Sequence, residues 1–111
     1  MNNQEALTEF GEIILHIVQS NDELTMRQLA LFLAIYHLGV RGSTKDYAGY
    51  MNVAKPVVTR AMDRLEQLQL MKRSFSPIDR RMVVVHKTAI GEAYYQHLLS
   101  LMNKEKEVRA A

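Results

Sequence analysis

The residues best placed to do chemistry in this 111-residue chain are cations. Between positions 55 and 87 stand Lys55, Arg60, Arg64, Lys72, Arg73, Arg80, Arg81 and Lys87, against only Asp63, Glu66 and Asp79. Positions 1–54 carry six acids and three basic residues, and positions 88–111 balance, so the net charge of +2 conceals a middle block of +5. A concentrated positive block fits an anionic partner. A solvated basic face would carry the same charge, so the block acquires meaning only from the elements that hold it.

Other chemistry is thinly provided. The chain has no cysteine, which excludes disulfides, thiolate metal sites and a cysteine nucleophile. None of the four histidines, His16, His37, His86 and His97, forms an i, i+4 pair with another, so no metal is expected. No nucleophile elbow, phosphate loop or paired-carboxylate motif is present, and the sequence predicts neither an enzyme nor a cofactor. Phe32, Tyr36, Tyr94 and Tyr95 could line a small-molecule pocket, although aromatic residues at helical spacing more often build a core. The seven methionines read as core filler. No apolar run reaches the roughly 18 residues of a membrane span, and the first residues lack the basic start of a signal peptide. The expectation is a soluble cytoplasmic protein with no membrane partner. Its length and its 48% hydrophobic content suit one globular domain over residues 1–111.

The elements follow from periodicity. Leu7, Phe10, Ile14 and Ile17 recur at helical spacing over residues 4–20, with Glu5, Glu9, Glu12, His16 and Gln19 expected on the outer side and Asn21-Asp22 as the stop. Thr25-Met26-Arg27-Gln28 is a capping box opening a second helix, apolar nearly all round to Leu38 and ended by Gly39. Ser43 or Thr44 caps a short third helix reaching about Tyr50, with Asp46 in its first turn. Met51-Asn52-Val53 is a tight turn. Pro56 lies in the first turn of a fourth helix, 55–68, whose buried stripe is Val58, Ala61, Leu65 and Leu68. The period then changes to two: strands 71–75 and 82–87 enclose the loop Ser76-Pro77-Ile78-Asp79-Arg80-Arg81. Thr88 caps a last helix to about 103, with Ile90, Tyr94, Leu98, Leu101 and Met102 on its apolar side, and the tail from Lys104 is expected to fray.

A short helix, a tight turn and a longer basic helix make a helix-turn-helix, and a basic-tipped hairpin after it makes a winged helix. The second helix of such a unit lies in the major groove, and a hairpin tip can place arginine in the minor groove. The predicted fold is therefore mainly α with a small β-hairpin: a winged helix-turn-helix flanked by N- and C-terminal dimerisation helices.

The segment from Lys55 to Glu66 resembles the recognition helix of MarR-type transcriptional regulators. Ser76 to Arg81, followed by Val83, Val85, Thr88 and Gly91, resembles that family's wing, with the Asp-x-Arg signature on Asp79 and Arg81. The resemblance covers roughly residues 24–98. It implies a dimeric DNA-binding regulator in which Thr59, Arg60 and the early helix residues Lys55, Pro56 and Val57 meet the major groove. It implies that Arg81 enters the minor groove while Asp79 orients it. The family's dimer region uses the first helix and two C-terminal helices, whereas this sequence has room for one.

The remaining candidates carry alternatives. Val57 could touch a thymine methyl or pack. Arg64 could meet a phosphate or pair with Asp79. Arg80 is a phosphate candidate. Of Lys72 and Arg73, on alternate faces of one strand, at most one points at a duplex. Ser43, Thr44 and Lys45 could bind phosphate or simply cap a helix. Asp63 is expected to hold an arginine, or to pair with Arg60 or Lys55 along the helix.

The expected partners are double-stranded DNA, a second copy of the chain through helix 1 and the last helix, and a small-molecule effector of the kind that releases many family members from DNA. Two other readings fit the same fold: a winged-helix protein-docking module, and the DNA-binding module of a replication or plasmid-maintenance protein.

Overall fold

The computed structural model describes residues 2–20 and 24–110, with side chains described through Met102. Five helices and one hairpin follow in the order α1 (Asn3–Gln19), α2 (Met26–Tyr36), α3 (Thr44–Met51), α4 (Lys55–Gln67), β1 (Met71–Phe75), β2 (Val83–Lys87) and α5 (Ala89–Ala110). This is the mainly helical fold with one small hairpin that the periodicity predicts.

The caps explain the boundaries. Asn2 accepts from the Glu5 amide and starts α1. Thr25 and Gln28 exchange hydrogen bonds in the predicted capping box of α2. Gly39 takes φ +70° after α2, a conformation costly for other residues. At α3 the Asp46 carboxylate accepts from both the amide and the hydroxyl of Ser43. Asn52, left-handed at φ 55° and ψ 48°, turns the chain from α3 into α4, and Pro56 sits in the first turn of α4. Thr88 accepts from the Gly91 amide and caps α5.

The core forms where α4 packs on α2 and α3. Leu31, Phe32, Val58, Met62 and Leu65 are fully buried there, with Met71 at the root of the hairpin. β1 and β2 are antiparallel, with Met71 opposite Lys87 and Phe75 opposite Val83. Tyr36 fastens this lobe to α5. Its hydroxyl donates to the Leu70 carbonyl at 2.6 Å and accepts from the Thr88 amide at 3.0 Å, while its ring stacks on Phe32 at 4.5 Å.

Four expectations are corrected. Glu9, expected on the outer side of α1, is buried. The inner stripe of α1 runs Glu9, Ile13, Ile17, while Leu7, Phe10, Leu15 and Val18 are exposed. The reason is that α1 packs along α5 and leaves its other apolar residues uncovered. α5 continues to Ala110 instead of ending near 103, in keeping with a stretch that contains no Gly or Pro to stop it. Met82 belongs to the turn, exchanging backbone hydrogen bonds with Ser76 and Asp79, so β2 starts at Val83. Ile90 is exposed, and Gly91 takes the buried place, since any Cβ there would collide with the Tyr36 hydroxyl and the Leu70 carbonyl. The predicted stop at Asn21-Asp22 lies outside the described residues.

Candidate nucleic-acid interface

The α3–turn–α4 unit presents the polar side of α4 outward. Lys55, Pro56, Thr59 and Arg60 are exposed, and Val57 is half-buried. The Thr59 hydroxyl donates back to the Lys55 carbonyl at 3.3 Å, a weak local bond that a partner could displace. Arg64 donates to Gln67 at 2.9 Å and not to Asp79. Lys45 is exposed at the start of α3, whereas Thr44 is buried, with its hydroxyl aimed at Met62 Sδ. Ser43 is engaged with Asp46, and these hydrogen bonds, the amide one first, hold the Asp46 carboxyl below the usual carboxylate range. In that capping group, Lys45 is the side chain left open to an anion.

The acids of the basic block are all taken by two arginines. Arg73, on β1, donates to Asp63 Oδ1 at 2.6 Å and to Glu66 Oε1 at 3.2 Å. Its amide also reaches Glu66, at 2.9 Å. Burial alone would lower the Arg73 pKa, but the hydrogen bonds to Asp63 and Glu66 more than offset it and raise it. Asp63 therefore holds an arginine across the fold and not Arg60 or Lys55 along its own helix. Asp79 accepts from the Arg81 amide at 3.0 Å and from its Nε at 3.3 Å, while the Arg81 side chain stays 92% exposed. Ser76 accepts from the amides of Ile78 and Asp79, closing the loop that carries this pair.

What remains is positive. Lys45, Lys55, Arg60, Lys72 and Arg80 are exposed and make no ion pair among the described residues. Lys87 lies over the Tyr36 ring at 5.4 Å. The structure adds one group that the sequence reading passed over. Arg27 and Gln28, at the start of α2, share a shallow cleft with Val57 and Arg60 of α4. The capping box drew notice to Thr25 and Gln28 as structural residues, and the exposed arginine between them was the available signal.

His86 Nε2 lies 2.7 Å from the Ser74 hydroxyl on the wing, and among the described residues no cluster of three or more metal-ligating side chains occurs. Phe32 and Tyr36 are core, Tyr94 meets Phe32 edge-on at 5.1 Å, and Tyr95 lies beside His37.

A helix-turn-helix with a hairpin wing and a cationic outer surface defines a winged-helix protein of the nucleic-acid-binding type. The model of the MarR family matches residues 24–83, and the chain belongs to that family. Among solved structures it is similar to a MarR-like transcriptional regulator from Thermotoga maritima, at 26% identity and a TM-score of 0.64, covering 96% of this chain and 82% of that one. It is similar to a mutant of S. aureus MepR bound to an oligodeoxyribonucleotide, at 17% identity and a TM-score of 0.81, covering 95% and 75%. It also resembles Bordetella bronchiseptica BpsR, whose DNA binding is regulated by 6-hydroxynicotinic acid, at 21% identity and a TM-score of 0.64, covering 95% and 73%. No curated protein matches the chain.

Proposed function

We propose that this chain is a sequence-specific double-stranded DNA-binding transcriptional regulator that works as a homodimer in the cytoplasm. α4 enters the major groove, with Thr59 and Arg60 at base edges, Val57 at a thymine methyl, and Lys55 and Pro56 at the groove margin. The hairpin tip places Arg81 in the minor groove, held there by Asp79, and Arg80 on phosphate. Lys45, Arg64 and Arg27 neutralise flanking phosphates, which supplies most of the affinity. Arg73 acts by neutralising Asp63 and Glu66 on the flank of α4.

The observation that carries this reading is the division of charge. Asp63, Glu66 and Asp79 are absorbed by Arg73 and Arg81, so the cations of α4 and the wing stand uncompensated on one continuous unit. A docking module has no need of that arrangement. The exposed Leu7, Leu15 and Val18 support a second copy seated on α1. No helix among the described residues is long and apolar enough to cross a membrane. The regulator answers to a small-molecule effector that changes its hold on DNA.

Selection of bound duplexes from a random pool tests the whole reading. A two-fold symmetric site, bound with steep loss of affinity as salt rises, is the expected result. Failure to enrich any duplex would sink it.

A further inference from the structure

Between α1, α2 and α5 lies a groove of about 350 Å³. Its walls are apolar, with Phe10, Ile13, Leu33, Leu98 and Met102 among them. Glu9 interrupts this lining. It is only 2% exposed, and its Oε1 has no hydrogen-bond partner among the described residues. On another wall His37 Nδ1 and the Tyr95 hydroxyl satisfy each other at 2.7 Å.

A buried carboxyl oxygen without a donor is held against its own solvation cost, and native structures leave few such groups unmet. Ordered water is a poor substitute, because a buried water needs two to four polar partners and these walls offer few. A second copy does not meet the need either. Seated on Leu7, Leu15 and Val18 it would cover the outer face of α1, and Glu9 lies on the inner one. The missing partner is a donor that enters the groove.

We infer that this groove binds an amphipathic organic cation, whose apolar body fills the channel and whose protonated amine donates to Glu9. A charge-assisted hydrogen bond in a dry, apolar setting is strong, and the same setting repels an anion and leaves a neutral analogue without its main contact. The inference rests on the effector reading above and gives that effector its chemical class.

The test is calorimetry on the full chain without DNA, using 4-phenylbutylamine, 4-phenylbutanol and 4-phenylbutyrate as probes. The amine should bind about tenfold or more tighter than the alcohol, with the carboxylate weakest. Glu9→Gln should bring the amine down to the level of the alcohol and leave the alcohol unchanged. Should that variant fail to fold, the Glu9 carboxyl carbon resonance of the wild type serves instead: it should move with the amine and not with the alcohol. Equal binding of the three probes, no binding, or an amine preference that survives Glu9→Gln overturns the inference. So does a Glu9 resonance that responds to protein concentration and not to the amine, which would mean that a second copy fills the groove. Because DNA is absent, these outcomes are separate from whether the chain binds duplexes.

Discussion

Arg73 Nη2 on β1 lies 2.6 Å from Asp63 Oδ1 on α4, and the same guanidinium reaches Glu66 one turn further along. One side chain thereby ties the root of the hairpin to the flank of α4 and neutralises two acids beside its cationic outer side. The Arg73 and Asp63 side chains are 23% and 58% exposed, so the pairs contribute modestly to stability, about 1 kcal/mol or less each. Their weight lies in the field around α4.

Arg73→Ala should lower DNA affinity while reducing stability only slightly. The triple variant Arg73→Ala, Asp63→Asn, Glu66→Gln should regain much of the lost affinity, since the exposed acids are then gone. If the triple variant binds no better than Arg73→Ala, Arg73 contacts the duplex itself. Fluorescence anisotropy across a salt series makes the comparison.

The helix and the wing should fail differently. Arg60→Ala should cost about 1–3 kcal/mol and relax preference at one position per half-site. Arg81→Ala should weaken binding broadly, most at sites with A/T-rich flanks, and make the salt dependence shallower. Asp79→Ala should follow Arg81→Ala more mildly, because it removes the amide and Nε bonds that position Arg81. Binding-site selection repeated on the folded variants decides this.

The dimer face is expected on α1. Leu98 and Leu101 lie on the last helix, which the sequence offered as the other half of the dimer contact; both are buried within the chain, so charging them would damage the fold first. Leu7→Glu or Val18→Glu should shift the protein toward monomer with little loss of stability. A wild type that sediments as a monomer at tens of micromolar would contradict the dimer.

Tyr36→Phe should destabilise the protein by about 2 kcal/mol, because it strands the buried Leu70 carbonyl and the Thr88 amide. Gly91→Ala should cost about 1–3 kcal/mol by forcing the Tyr36 hydroxyl and Leu70 backbone apart. Urea melts of each variant give the values, and near-neutral results would mean that the joint is looser than described.

The cap of α3 gives a pH dependence. The amide and then the hydroxyl of Ser43 hold the folded Asp46 carboxyl below its ordinary range. A depressed carboxyl stabilises the fold above its unfolded pKa, and that stabilisation fades as the pH falls through the folded value. The wild type should thus lose stability on acidification, and Asp46→Asn should lose less over the same range. Thermal melts from about pH 5 downward test the difference; parallel curves would exclude Asp46 as a contributor.

Local chemistry made much of this protein legible from its residues alone. Thr25 with Gln28, Pro56, Gly39 and Thr88 announced the starts and stops of helices because each satisfies or forbids a backbone group within a few residues of itself. The change from a period of 3.6 to a period of two located the hairpin for the same reason. Partners chosen across the fold were not legible. Asp63 could have paired along α4, and only the packing of β1 beside that helix brought Arg73 to it. Thr44 could have bound phosphate or capped α3, and burial against Met62 turned its hydroxyl inward. Glu9 stood at an outward position of an amphipathic helix, yet α1 leans on α5 with a different stripe and draws that carboxyl into a groove. Periodicity fixes which residues share a face, but the neighbouring elements decide which face is covered, and that choice belongs to the tertiary structure.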